Sequence, residues 1–538
     1  MKALIGVDVG TGSARAGVFG LDGHMLASAK RPITIWHEPG DIVEQSSDQI
    51  WNAVCEAVRE AVDASGVPSS AIAGVGFDAT CSLVAVDADG GGVAVGPSND
   101  PRRNIIVWMD HRAQVEAEEI NQGGHRVLDY VGGRISPEME TPKLLWLSRH
   151  RPESFARAAH FFDLSDYLTW RATGSLDRSV CTVTCKWTYL AHEDRWDADY
   201  FRQVGLGSLA DEGFRRIGTK VVAPGTNLGG LTATAAGDLG LSPATPVAAS
   251  LIDAHAGGVG TLSVSAANQP ADVGQRLAYI FGTSACSMAS TTDPVMVPGV
   301  WGPYFNSMIP GIWLLEGGQS AAGAALDRLV QLHPDASALE AEAMRQGQSL
   351  LAYVADHART LGPTLSETIL TARDMVVVPE FNGNRSPFAD PEARAIISGL
   401  SFDRGLSSLA ALYLAGLSGI GYGLRQLLNR LRASGIEITS IVASGGAARS
   451  DLVCQMLADT TGTPVLLPER EEPVLLGSAM LGGVAGGIFP DLGEAMAAMS
   501  GSSRQFISAT GALADLHTHR FACFEALQDA NRTLRRSR

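Results

Sequence analysis

The opening of the chain limits its fold more than any other feature. Lys2 to Val9 contains the apolar run Ala3-Leu4-Ile5-Gly6-Val7, as expected of a buried strand. A Gly10-Thr11-Gly12-Ser13 turn follows, then a second apolar strand, Ala16-Gly17-Val18-Phe19, with Asp22-Gly23 as a hairpin turn. Near the middle of the chain the arrangement recurs as Leu277-Ala278-Tyr279-Ile280-Phe281, Gly282-Thr283-Ser284 and Ala285-Cys286-Ser287-Met288-Ala289. A pattern used twice predicts two related domains. The 538 residues are long enough for about three domain-lengths.

Helical and strand-like segments alternate around these units, so the fold class expected is α/β. Asp48 to Ala64 has helical apolar spacing, Ile72 to Phe77 reads as the next buried strand, and Pro246 to Ser250 as another, ending at Asp253. Gly257, Gly258 and Gly260 make Ala254 to Gly260 the best hinge candidate, and Ser263 to Gln275 reads as an exposed insertion or linker. Ser337 to Ala358 and Leu406 to Leu431 read as helices, and Ile438 to Ala443 as a strand feeding a glycine turn. Gly405 to Leu424 is uncharged and long enough to span a bilayer. It is solitary, carries Ser407, Ser408 and Ser418 and meets Arg425, so a buried helix is expected.

With 41 Lys and Arg against 57 Asp and Glu, the net charge of −16 argues against affinity for nucleic acid or an anionic membrane. The one basic cluster, Arg532, Arg535, Arg536 and Arg538, reads as a frayed, solvated terminus. Seven cysteines form neither a disulfide framework nor paired zinc knuckles, and the start Met1-Lys2, leading at once into the first strand, reads as one without a signal peptide. A cytoplasmic protein with free thiols is expected.

Three turns carry the chemistry. In Asp8-Val9-Gly10-Thr11-Gly12-Ser13-Ala14-Arg15, bare glycine backbone can approach an anion, the hydroxyls can donate to phosphate oxygens, and a strand-end carboxylate could hold Mg²⁺ through water. The motif is neither a Walker loop nor a dinucleotide fingerprint, and alone it is equally an ordinary hairpin. Its echo, Ile280-Phe281-Gly282-Thr283-Ser284, would let two turns grip a triphosphate from opposite domains. The third, Val442-Ala443-Ser444-Gly445-Gly446-Ala447-Ala448-Arg449-Ser450, runs from a strand through two glycines toward a helix at Asp451 to Thr460, a junction that suits a nucleotide or a plain αβ connection.

Together, and in this order along nearly the whole chain, the three motifs resemble those of the FGGY family of carbohydrate kinases. So do Trp108-Met109-Asp110-His111-Arg112, Glu316-Gly317-Gly318-Gln319-Ser320-Ala321-Ala322-Gly323 and Phe381-Asn382-Gly383-Asn384-Arg385-Ser386-Pro387. Gly76-Phe77-Asp78-Ala79-Thr80-Cys81-Ser82-Leu83-Val84 is similar to the pentulose kinase branch that includes D-ribulokinase, and departs from the Gln-Met-His of xylulokinases and the Gln-Arg-Glu of glycerol kinases. The resemblance implies two ribonuclease-H-like domains of the actin, hexokinase and Hsp70 type with a cleft between them, an N-terminal one over 1–262 and a C-terminal one over 276–538.

By the same resemblance Thr11, Gly12, Ser13 and Arg15 would hold the ATP phosphates, with Asp8 near Mg²⁺. Gly282 and Thr283 would reach the phosphates from the second domain, and Gly323, Gly446, Ala447 and Asp451 would surround the nucleoside. Asp253 matches the general base, its bland alternative being a cap on a strand-end turn. Cys81, Ser82, Trp108, Asp110 and Asp253 lie at sugar positions, as do Glu316 and Lys186 less securely, Lys186 being equally readable as a surface charge. Cys181 and Cys185 read as buried thiols rather than half of a metal site.

The activity implied is ATP-dependent phosphorylation of the terminal hydroxyl of a pentulose, D-ribulose foremost, with L-ribulose, D-xylulose or ribitol as alternative substrates. A reading of another class is an actin- or Hsp70-like ATP-binding regulatory protein, which would need neither a base at Asp253 nor the Trp108-Met109-Asp110 cluster. The expected partners are the sugar and ATP alone; the sequence leaves the oligomeric state open, a homo-oligomer included.

Overall fold

The computed structural model describes residues 2–264 and 272–536. Residues 265–271 of the expected linker, and Arg538 of the tail, lie outside the described residues.

In the first half Ala3–Gly10 pairs antiparallel with Ser13–Gly20, which pairs antiparallel with Met25–Pro32. On its other edge Ala3–Gly10 runs parallel to Ile72–Ala79, beside which Pro246–Ala248 and Leu251–Ile252 also run parallel. The second half repeats this order. Arg276–Phe281 pairs antiparallel with Ala285–Thr291 and that strand with Trp313–Gln319, while parallel Ser440–Ser444 and then Val465–Pro468 extend the other edge. The recurrence in the sequence is thus a duplicated topology, a three-stranded meander followed by parallel strands.

Helices cover both faces of the first sheet, which is why Ala3, Leu4, Ile5, Val7 and Val9 are all fully buried. Ser47–Ser65 packs on one face; its entry is fixed by the Ser46 hydroxyl accepting from the Gln49 N–H at 3.3 Å, and its exit by Gly66 at φ 67°. On the other face lies Pro473–Ala485, contributed by the second half of the chain. It rests on a glycine floor: a β-carbon at Gly6, Gly74 or Gly76 would sit 2.0, 2.0 and 1.9 Å from the carbonyl oxygens of Leu475, Gly482 and Ser478.

This crossing corrects the hinge expectation for Ala254 to Gly260. Those residues belong to the buried helix Asp253–Leu262, which packs on Pro473–Ala485 and on the strand Arg276–Phe281. A β-carbon at Gly260 would fall 1.9 Å from the Pro473 carbonyl, and one at Gly477 2.0 Å from that of Ala256. The glycines let two helix backbones touch where the halves join.

Helices carried between Ile72–Ala79 and Pro246–Ala248, with a five-stranded sheet built from Trp36–Glu38, Ile42–Gln45, Leu83–Val86, Ile105–Ile106 and His160–Asp163, form one wall of the site. The helix expected over Ser337 to Ala358 is two, Ala336–Arg345 and Leu350–Ala358, separated by Gly347 at φ 72° and restarted by the Ser349 cap. Leu406–Ala433 is long and apolar enough to cross a membrane, yet 78% of that apolar window is buried inside the protein. The tail is also ordered, contrary to expectation: Ala512–Arg536 is a helix, with Arg535 bridging Asp390 and the Arg532 guanidinium 4.0 Å from the centre of the Phe388 ring.

Candidate active site

The ends of the central strands open into two adjoining cavities. One, of about 410 Å³, is walled on the N-terminal side by Asp8, Gly10, Ser13, Thr80, Cys81, Trp108, Lys186 and Asp253. Its C-terminal side is Ser284, Cys286, Trp301, Glu316 and Arg385. The other, of about 640 Å³, runs along Ser444, Gly445 and Gly446 and the segment Leu467 to Val474. Arg15, Ile280 and Val474 line both, so the cavities meet at Arg15.

Asp253 is the first residue of its helix, and its Oδ1 accepts the Ala254 N–H at 2.7 Å. Burial, and next the charge of Asp8, push its carboxyl up to about 7 despite that hydrogen bond. A carboxylate tuned to near neutrality in a polar cavity suits proton transfer from a hydroxyl.

Asp8 sits opposite Arg15 in one strand pair and opposite Asp78 in the other. Arg15 donates from Nε to Asp8 Oδ2 at 2.6 Å and from Nη1 to Glu472 Oε2 at 2.5 Å, so Asp8 is bridged by the guanidinium that divides the cavities. Asp78 is fully buried; the Ser478 hydroxyl donates to its Oδ2, while its Oδ1 has no partner. Burial and the neighbouring Asp8 carboxylate drive the Asp78 pKa well above its ordinary value. Asp8, the one of the two that lines the cavity, fits a divalent cation, with Asp78 buried behind it. Among the described residues no cluster of three His, Cys, Asp or Glu is placed to hold a metal. A cation here would therefore take its other ligands from phosphate and water, the usual habit of Mg²⁺.

The sugar-side residues do not all converge. Lys186 is buried and lines the cavity with its ammonium 5.5 Å from the Trp301 ring centre, which removes the surface-charge reading. Glu316 lines it too, with Oε2 3.5 Å from His255 Nε2, and His255 Nδ1 lies 3.0 Å from Cys181 Sγ. Burial would raise the Glu316 carboxyl, but His255 and the charges of Lys186 and Arg385 hold it down at about 2. Trp108 ties the first turn to the sugar wall, donating from Nε1 to Thr11 Oγ1 at 3.0 Å and from its backbone N–H to Ser82 Oγ at 3.1 Å. Ser82 is fully buried and acts through Trp108 rather than lining the cavity. Asp110 is likewise set back: its oxygens accept from the Val43 N–H at 2.6 Å and from Arg112 at 2.7 to 2.9 Å, bracing the wall from behind.

On the nucleotide side Gly446 lines the groove with no atom within 4 Å of where a β-carbon would stand, and Gly12 is equally open. At Gly445, φ 91° and a β-carbon position 2.5 Å from the Phe281 carbonyl require glycine. Ala447 begins the short turn behind Gly446, and Asp451 accepts from Arg504 Nη1 at 2.8 Å, so Arg504 rather than Asp451 reaches the groove. Thr283 is exposed at the rim of its turn; its carbonyl accepts from the N–H groups of Ala322 and Ala324, and the Gly323 N–H donates to Gly282 O at 3.0 Å. Gly323 therefore braces the second turn.

Reasoning from sequence gave no role to Asp78, Glu138, His255, Trp301 or Arg385. Asp78, His255 and Arg385 stood inside quoted motifs and could have been found by asking why a charged residue sits at a buried strand end or beside Asp253. Glu138 reaches the cavity from a turn that carries no periodic signal, and Trp301 from the first position of the short strand Trp301–Phe305.

The geometry has close counterparts. The chain is 44% identical over 508 residues to the FGGY carbohydrate kinase domain-containing protein of Homo sapiens, covering 93% of this chain and 91% of the relative. It is 39% identical to the D-ribulokinase of Saccharomyces cerevisiae, over 90% of this chain and 72% of that protein. It is 29% identical to the ribulokinase of Geobacillus thermodenitrificans, over 90% and 86%. In fold it matches the xylulose kinase of Rhodospirillum rubrum with a TM-score of 0.80 at 22% identity, covering 99% of each chain. It matches the ADP-bound glycerol kinase of Plasmodium falciparum with a TM-score of 0.79 at 16% identity, over 99% of this chain and 98% of that one. These two structures show that the fold is shared, and it is the family match, not the fold, that displaces the regulatory-protein reading. The N-terminal domain of the FGGY family of carbohydrate kinases matches residues 3–260 and its C-terminal domain residues 277–486, and with a carboxylate-centred cavity beside a glycine-walled groove at their junction, the chain belongs to that family and is a sugar kinase.

Proposed function

We propose that the protein transfers the γ-phosphoryl group of ATP to the terminal hydroxyl of D-ribulose, forming D-ribulose 5-phosphate. One observation carries the reading: Asp253, a carboxyl raised to about 7, faces a polar cavity that meets a nucleotide-sized groove at Arg15. The 39% identity to a yeast D-ribulokinase supports the choice of sugar.

In this reading ATP lies along Gly445 and Gly446 with its phosphates reaching the Gly10 to Ser13 turn, where backbone N–H groups and the Thr11 and Ser13 hydroxyls donate to them. Asp8 would hold Mg²⁺, which when bound neutralises charge on the phosphate oxygens. Lys186 and Glu316 orient sugar oxygens by donating to and accepting from them. Asp253 accepts the proton of the attacking hydroxyl. Because phosphoryl transfer has a loose transition state, alignment matters more than basicity, and the rigid N-terminus of the Asp253 helix supplies it. Enclosure between the halves keeps water from taking the phosphoryl group.

The test is kcat/KM for D-ribulose, L-ribulose, D-xylulose and ribitol by coupled ADP release. The reading requires D-ribulose to be preferred; a preference for another of these sugars would reassign the substrate and leave the sugar kinase intact.

A further inference from the structure

The C-terminal helix Ala512–Arg536 begins beyond the residues matched by either family domain, yet it is fastened to a loop that enters the cavity. Residues 379–395 link the strands Val376–Val378 and Ile396–Ser398 without forming a helix or ladder strand of their own. At the inner end of this loop Arg385 lines the sugar cavity, its guanidinium 5.2 Å from the centre of the Trp301 ring. Among the described residues that guanidinium makes no hydrogen bond or ion pair, although its charge helps hold Glu138 and Glu316 ionised.

The helix grips the loop on both sides of Arg385. Gln528, held against the long helix by Gln426 Nε2 at 2.7 Å, donates to Glu380 Oε1 at 2.7 Å, and Asn384 Nδ2 donates to the same oxygen at 2.6 Å. Further on, Arg535 forms a two-pronged pair with Asp390 at 3.0 and 2.5 Å, and Asp390 exchanges backbone hydrogen bonds of 2.8 Å with Asn384. Asn531 donates to the Arg394 carbonyl at 2.7 Å. An irregular loop left free would have to be ordered each time a ligand bound, at a cost in affinity; one clamped beforehand avoids it.

We propose that the C-terminal helix is a positioning element of the sugar site, clamping the loop so that Arg385 presents unused donors to an oxygen of the sugar. The inference rests on the cavity being the sugar site. The experiment compares wild type, Arg385→Ala, the pair Gln528→Ala with Arg535→Ala, and the triple variant, reading the KM values of D-ribulose and ATP, kcat, and hydrogen exchange of residues 380–394. The clamp predicts faster exchange in the pair, a sugar KM raised about tenfold in the pair and in Arg385→Ala alike, near-normal kcat and ATP KM, and a triple variant no worse than Arg385→Ala. Unchanged exchange and sugar KM in the pair, or effects that multiply in the triple, would overturn it. Faster exchange in the pair with no effect of Arg385→Ala on any sugar would overturn it by a different route, showing the clamp to be real and the cavity misread.

Discussion

Replacing Asp253 with Asn should separate catalysis from stability in opposite directions. The substitution keeps shape and removes the proton acceptor, so kcat should fall by roughly 10²-fold or more, equivalent to about 3 kcal/mol of barrier. ATP affinity should be largely unchanged, since Asp253 lines the sugar cavity and not the glycine groove. The same burial that tunes the group makes its charge costly. With a carboxyl held at about 7 when folded, against an ordinary 3.8, the ionised form is disfavoured by folding. Holding the carboxyl there costs roughly 4 kcal/mol at most, and less because Asp253 opens onto the cavity. The sign follows from the raised value: between the unfolded and folded pKa, stability of the wild type declines as pH rises, and above about 7 the full penalty is present. Asp253→Asn should therefore melt higher than wild type at pH 8 and lose that advantage toward pH 4. Wild-type kcat/KM should drop on the acid side of about pH 7, as the base becomes protonated. The assays are coupled ADP release across pH and thermal melting of both proteins at the two extremes. Near-normal turnover in the variant, or a melting difference that does not change with pH, would refute the reasoning.

Two further outcomes test the nucleotide groove and the joint between the halves. Gly446→Ala places a methyl where no protein atom lies within 4 Å, so melting should be unchanged while the KM for ATP rises several-fold; an unaffected ATP KM would move the nucleotide elsewhere. Gly76→Ala drives a β-carbon to 1.9 Å from the Ser478 carbonyl, which must lift the Pro473–Ala485 helix off its sheet, and unfolding by denaturant should show a loss of about 1–3 kcal/mol or more. A variant as stable as wild type would mean that the glycine floor is not needed for this packing.

The duplicated architecture was legible because uninterrupted apolar runs ending in glycine turns have few other meanings, and the two meanders fall where those runs do. Asp253, Lys186 and Glu316 were legible through the family resemblance rather than from spacing, and the fold brings them to one cavity. Asp110 and Ser82 were expected at the sugar, whereas the structure shows them hydrogen-bonded within the wall, to Val43, Arg112 and Trp108, because sequence places a residue on a wall without showing which side it faces. Gly257 to Gly260 misled in a more general way. Glycine marks both freedom and close approach, and only the partner helix, some two hundred residues later, shows that the second applies. The tail misled because basic residues at a terminus look solvated until their acceptors, Asp390 and the Phe388 ring, are seen.

The central claim is that one cavity delivers the terminal hydroxyl of a ketopentose to Asp253 and the nucleotide's last phosphate. Phosphorus and carbon NMR of the reaction with ATP and D-ribulose tests it most directly. The account predicts a phosphomonoester on C5 formed in step with ADP. A phosphate on another carbon, or inorganic phosphate released at the same rate without sugar, would contradict it.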